Sequence, residues 1–258
     1  MKIGCCISID QIDNAGQAGF DFLECTVVSL VPDNDAEYEA IRQKYQDSHL
    51  PIEVCNVFLP GHLQITGNDV DETAIETYLA KAIPRVKEIG ADTIVFGSGE
   101  ARSYPKYFSK KEAEKQVIRF LQMAAEYAEQ HAITIVIEPL NKKESNIINS
   151  VPEAVELAKK VNHPSIQVLA DFYHMEVERE PLQHIVEAGP FLRHIHVADS
   201  DRLAPGTGTY PYETFVHYLK DVNYRKRISI ECEWRNFETE AMDSYSFLNK
   251  YFRSDDDE

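Results

Sequence analysis

At 258 residues the chain exceeds an average domain yet matches one α/β barrel, so its length does not call for two domains. Its 43% hydrophobic and 27% charged residues are those of ordinary globular proteins and exclude a disordered or fibrous chain. A formal net charge of -17 disfavours phosphate-rich or anionic-lipid partners, so neither nucleic acid nor membrane is expected.

The opening segment MKIGCCISI is apolar over too short a stretch for a signal sequence or a membrane span, and predicts a first strand over residues 3–8. From there β-rich runs alternate with helical patterns to the end of the chain. Further strands are predicted over 20–27, 52–58, 93–96, 133–138, 166–171, 194–197 and 228–231. Eight such units are the pattern of parallel strands joined by crossover helices, a single (β/α)8 barrel over residues 1–253. The helix signals are clearest in KKEAEKQVIRFLQMAAEYAEQH, where Val117, Phe120, Leu121, Ala124 and Ala128 share one face. The segment AIETYLAKAIPRVKEIG should close at Gly90, and VPEAVELAKKV should open at Ser150 before Pro152. The acidic tail 254–258 is expected to be frayed and solvated.

The five cysteines (Cys5, Cys6, Cys25, Cys55 and Cys232) lie mostly inside apolar runs, without zinc-ribbon or disulfide spacing. They read as small buried hydrophobes in a reducing cytoplasm.

In a parallel barrel the C-terminal strand ends form one face, so polar residues closing apolar strands are candidates for a shared site. Four stand out in succession: Glu138 after ITIVI, Asp171 after IQVLA, His196 in RHIHV and Glu231 after RISI. Each alone has an ordinary alternative as a helix cap, a loop acid or a core histidine. Together, three carboxylates and an imidazole would repel without a cation, whereas a divalent ion turns them into a coordination shell. The oxygen-rich set suits Mn²⁺ or Mg²⁺ best, with Co²⁺ or Zn²⁺ also admissible. His194 shares a face with His196 and either caps the core or supports the site, and Glu233 ranks below Glu231 as a ligand. After the fourth strand, Gly97 and Gly99 either let substrate approach backbone or make a plain turn, with Glu100 and Arg102 expected at the rim. The segment RLAPGTGTYPYE, with Gly206 and Gly208, is expected to shape a lid or a backbone that approaches a phosphate.

The segments IEPLNKKESNIINS, DFYHM, HIHVADSDRLAPGTG and ISIECEW, in that order, resemble the sugar phosphate isomerase/epimerase family of xylose-isomerase-like barrels, nearest to ketose 3-epimerases of the tagatose and psicose type. The likeness is strongest from Glu138 onward and weak before Gly97. It implies that Glu138, Asp171, His196 and Glu231 hold one divalent metal and that Glu138 and Glu231 exchange protons with substrate. It further implies that Glu144, His174 and Arg202 grip a small sugar or hydroxy-ketone. A metal that polarises a ketose carbonyl acidifies the neighbouring C–H, and two flanking glutamates then permit epimerisation or aldose-ketose isomerisation. Hydroxypyruvate isomerase and inosose dehydratase chemistry share that first step. An apurinic endonuclease-like phosphodiesterase ranks lower because the expected Asp-x-His after the seventh strand is missing; a non-catalytic sugar-binding barrel would not need both glutamates. Substrate identity is left open, as is assembly into a homo-oligomer.

Overall fold

A computed structural model describes residues 1–253; the tail 254–258 lies outside the described residues. Eight parallel strands close into a barrel in sequence order: β1 Lys2–Cys6, β2 Phe22–Thr26, β3 Ile52–Asn56, β4 Thr93–Phe96, β5 Thr134–Ile137, β6 Ile166–Asp171, β7 Leu192–Val197 and β8 Arg227–Ile230, with β8 pairing back to β1. The helices are α1 Ile12–Ala18, α2 Asp35–Gln46, α3 Glu72–Glu88, α4 Gly99–Arg102, α5 Lys110–Gln130, α6 Val151–Val161, α7 Phe172–Glu178, α8 His184–Ala188, α9 Tyr212–Asp221 and α10 Phe237–Phe252. Among the described residues, no helix is long and apolar enough to cross a membrane.

The predicted strand centres all hold, and the differences fall at the ends. The first three strands stop short of their predicted limits for local reasons. Ser8 accepts from the Asp10 N–H to start a turn, Val27 has helical backbone angles, and Val57 takes a left-handed φ of 45°. The seventh begins two residues earlier than predicted, because Leu192 already pairs with Val168. The five α5 residues expected on one face are all buried. Ser150 accepts from the Glu153 N–H to cap α6, and Gly90 takes a φ of 98° just beyond α3.

Strand register sorts the barrel interior into layers. Paired residues in a parallel sheet point to the same side, and Phe22, Val54, Val95, Val136 and Leu169 meet as a buried apolar layer inside the barrel. Phe22 reaches across the space over Gly4, where an added Cβ would come within 2.5 Å of the ring. Toward the N-terminal strand ends the interior is polar: Arg227 donates to Thr93 Oγ1 at 2.8 Å and to Glu53 Oε2 at 3.2 Å. One step toward the C-terminal ends, the same parity places Glu24, Asn56, Asp171 and His196 inward. The apolar layer therefore forms a floor beneath a polar mouth.

Truncating Phe22 leaves a cavity that its backbone neighbours cannot collapse into. Phe22→Ala is expected to lower folding stability by roughly 3–5 kcal/mol, measured by urea unfolding, and a loss below about 1 kcal/mol would contradict this packing.

Candidate active site

Glu138 and Glu231 each sit one residue beyond a strand, but their backbone N–H groups continue the ladder, donating to Phe96 O at 3.2 Å and Val197 O at 3.0 Å. Strand alternation is therefore preserved and both carboxylates turn into the mouth. Asp171 is the last residue of β6, and His196 lies just before the end of β7. The structure brings the four together: one ligand atom from each of Glu138, Asp171, His196 and Glu231 lies within 4.8 Å of all the others. His196 Nδ1 is 3.1 Å from Glu138 Oε1 and 3.6 Å from Glu231 Oε2.

Neighbouring residues explain these positions. A Cβ at Gly97 would collide with Glu138 Oε2, so the glycine after β4 makes room for that carboxylate. Asp171 combines two roles weighed against each other in the sequence: Oδ1 accepts from the His174 N–H at 3.1 Å and caps α7, while buried Oδ2 has no hydrogen-bond partner and faces the cluster. His174 Nδ1 faces the Asn141 backbone N–H at 3.2 Å, which makes it the acceptor nitrogen. His174 Nε2 is then the donor, buried without a partner, 3.7 Å from Asp171 Oδ2 and 3.9 Å from Glu144 Oε2. Arg202 spans the opening, donating to Glu231 Oε2 at 2.8 Å and Glu144 Oε1 at 3.1 Å, with its guanidinium 5.1 Å from the Tyr173 ring centre. All seven residues singled out in the sequence thus border one space.

Burial and mutual repulsion dominate the electrostatics. Two carboxylates about 4 Å apart cost about 4 kcal/mol at an effective dielectric constant of about 20. Accordingly, burial and then the Glu231 charge raise the Asp171 carboxyl to about 6, and the same two causes raise Glu138. Burial alone would raise Glu231 as well, but the His196 and Arg202 cations outweigh it and hold that carboxyl at about 2. Burial opposes charge on His196, yet Glu24, Glu231 and the bond to Glu138 overcome it and raise its pKa. His174 is lowered by burial and stays neutral. An oxygen-rich, buried set with an orphaned Asp171 oxygen fits a divalent cation, which would offset the repulsion directly.

Three sequence expectations change. Arg102 is fully buried rather than at the rim, donating to Phe96 O at 3.0 Å and lying 3.4 Å from Ser145 Oγ, so it ties the loops after β4 and β5 together. The segment expected to form a lid is wrapped around Asp199, whose carboxylate accepts from the N–H groups of Ser200, Gly206 and Tyr210 at 2.8–3.1 Å. Cys6 is not a core residue but lines a cavity at the mouth with Ser8, Glu24, Thr26, Asn56 and Glu231. Glu233 is exposed. Two inward residues escaped the sequence reading. Asn56 donates to Glu231 Oε1 at 3.1 Å, and Glu24 lies 2.8 Å from His196 Nε2 and 2.9 Å from His194 Nε2. The alternation in FDFLECT, with apolar residues on both faces, concealed Glu24 inside a strand.

The chain belongs to the family described as xylose isomerase-like TIM barrel, which matches residues 12–251. It is 25% identical over 227 residues to a D-psicose 3-epimerase of Agrobacterium fabrum, covering 85% of this chain and 77% of the relative. An L-ribulose 3-epimerase of a Methylomonas species is 26% identical over 246 residues, covering 87% and 83%. The crystal structure of D-psicose 3-epimerase with D-tagatose from Clostridium cellulolyticum superposes with a TM-score of 0.85 at 20% identity, covering 98% of this chain and 99% of that one, a likeness of fold.

A proton on Asp171 or His196 competes with a cation for the same atom. Because both groups hold protons to higher pH than usual, Mn²⁺ affinity should fall as pH drops from 7.5 to 5.5, by at least about tenfold if one proton is displaced. Calorimetric titrations in buffers of different ionisation enthalpy would show this, and an affinity independent of pH would contradict it.

Proposed function

We propose that this member of the xylose isomerase-like barrels is a cytoplasmic, divalent-metal-dependent ketose 3-epimerase in which Glu138 and Glu231 exchange a proton with the carbon beside a ketose carbonyl. It is an enzyme of the sugar isomerase and epimerase class, as the two curated epimerases aligned over most of its length indicate. The observation that carries the finer reading is the placement of Glu138 just beyond β5 and Glu231 just beyond β8, flanking His196, with an oxygen of each in the four-group cluster.

A divalent ion held by Glu138, Asp171, His196 and Glu231, Mn²⁺ or Mg²⁺ by donor chemistry, supplies Lewis-acid polarisation to the substrate carbonyl. The protein's own groups do the rest. One glutamate removes the proton from C3, and the other returns one to the opposite face, inverting that carbon; proton return to the neighbouring carbon would give an aldose instead. Glu138 suits proton exchange because burial and the Glu231 charge raise its pKa. The unpartnered His174 Nε2–H donates to a substrate oxygen, while Glu144 accepts from a hydroxyl. Arg202, already on Glu144 and Glu231, adds a fixed positive charge over the reacting carbons.

The deciding experiment incubates Mn²⁺-supplemented protein with free ketoses in D₂O and follows carbon-bound deuterium by NMR. Deuterium at C3 is the expected result; deuterium only at C1 or C2 would make the enzyme an aldose-ketose isomerase, and none would reject the reading. Glu138→Gln and Glu231→Gln should each slow exchange by roughly 10²–10⁴-fold while unfolding stays cooperative, and exposed Glu233→Gln should leave it nearly intact.

A further inference from the structure

Glu24 is fully buried on β2, across the barrel from β7, and takes no part in the proton exchange described above. Both of its oxygens are occupied by imidazole: Oε1 lies 2.8 Å from His196 Nε2 and Oε2 lies 2.9 Å from His194 Nε2. The two rings stand edge to face, with centres 5.0 Å apart and an interplanar angle of 82°. Ser229 Oγ, 3.2 Å from His194 Nε2, holds the second ring from β8.

A carboxylate only accepts, so its contact keeps a proton on Nε2 of His196 when a divalent ion displaces the one on Nδ1. The opposite nitrogen, Nδ1, is thereby the one facing Glu138 Oε1 and Glu231 Oε2. A buried carboxylate is costly to place, and a need for packing alone would be met by an apolar residue of similar volume. We infer that Glu24 is a positioning residue: by accepting from Nε2–H it fixes the ring orientation of His196 and the nitrogen that His196 offers to the divalent ion, while His194 anchors Glu24 itself. This rests on the metal-ligand reading of the four-group cluster.

Glutamine at this position keeps the volume but has one acceptor oxygen where two imidazole N–H groups need accepting. Either His196 Nε2 then faces an amide N–H, which sends the ring proton to Nδ1 and spoils it as a ligand, or His194 loses its partner and the anchor loosens. Outer hydrogen-bond partners of metal-ligating histidines typically carry about 10–100-fold in metal affinity.

The test titrates metal-free protein with Mn²⁺ by calorimetry, comparing wild type, Glu24→Gln and Asp171→Asn. Wild type should bind one ion, and folded Glu24→Gln should bind it roughly 10–100-fold more weakly. If Asp171→Asn loses the ion but Glu24→Gln keeps an affinity within about threefold of wild type, the ligand reading stands and the role given to Glu24 falls. If wild type takes up no Mn²⁺, or Asp171→Asn binds it as well as wild type, the ligand reading falls and this inference with it. A second measurement does not depend on the variant folding. In ¹H–¹⁵N spectra of wild-type protein loaded with diamagnetic Mg²⁺, His196 should carry its proton on Nε2; a proton on Nδ1 would overturn the proposal.

Discussion

Like charges forced together in a largely buried mouth are the constraint from which the rest of this structure follows. Glu24, Glu138, Asp171 and Glu231 approach within a few ångströms of His196, and His196, His194 and Arg202 are the side chains that answer their charge. Such a cluster is tolerated only where the surrounding fold leaves it no freedom to splay. The closed strand ladder supplies that rigidity, and the apolar layer of Phe22, Val54, Val95, Val136 and Leu169 keeps water from reaching it through the barrel.

The two ends of the barrel use charge in opposite ways. At the N-terminal strand ends, Arg227 and Lys2 meet Glu53 and Asp92, so acid and base are matched and the arrangement serves stability. At the C-terminal ends acids outnumber bases, and the mismatch is what suits the mouth to a cation. Inward side chains recur every second residue, so the two ends lie four residues apart, as Arg227 and Glu231 do, with the apolar layer between them.

Much of this was legible in the sequence because period-2 patterning and a strand-end acid are local signals. The four predicted ligands announce themselves as polar residues closing runs such as ITIVI and RISI, and their convergence follows from barrel closure. What stayed hidden depends on partners distant in the chain. Glu24 looks like an isolated acid in an apolar run until β7 brings two histidines to it from 170 and 172 positions away. Arg102 looks like a rim cation, since arginine is usually exposed; its burial depends on Phe96 O at the end of β4 and on Ser145 Oγ and Ile148 O in the loop after β5, which no local pattern encodes. The segment after β7 misled for a related reason: its glycines suggested freedom, but the Asp199 carboxylate gathers the backbone around itself.

Asp171 couples architecture to chemistry within a single carboxylate, one oxygen starting α7 and the other turned to the cluster. Asparagine is the one replacement of the same size that would preserve the helix start while giving up the anionic oxygen. On the ligand role proposed for Asp171, a descendant of this barrel without cation chemistry would be recognised by asparagine at the end of its sixth strand, with α7 intact, whereas any larger change there would unsettle the helix along with the site.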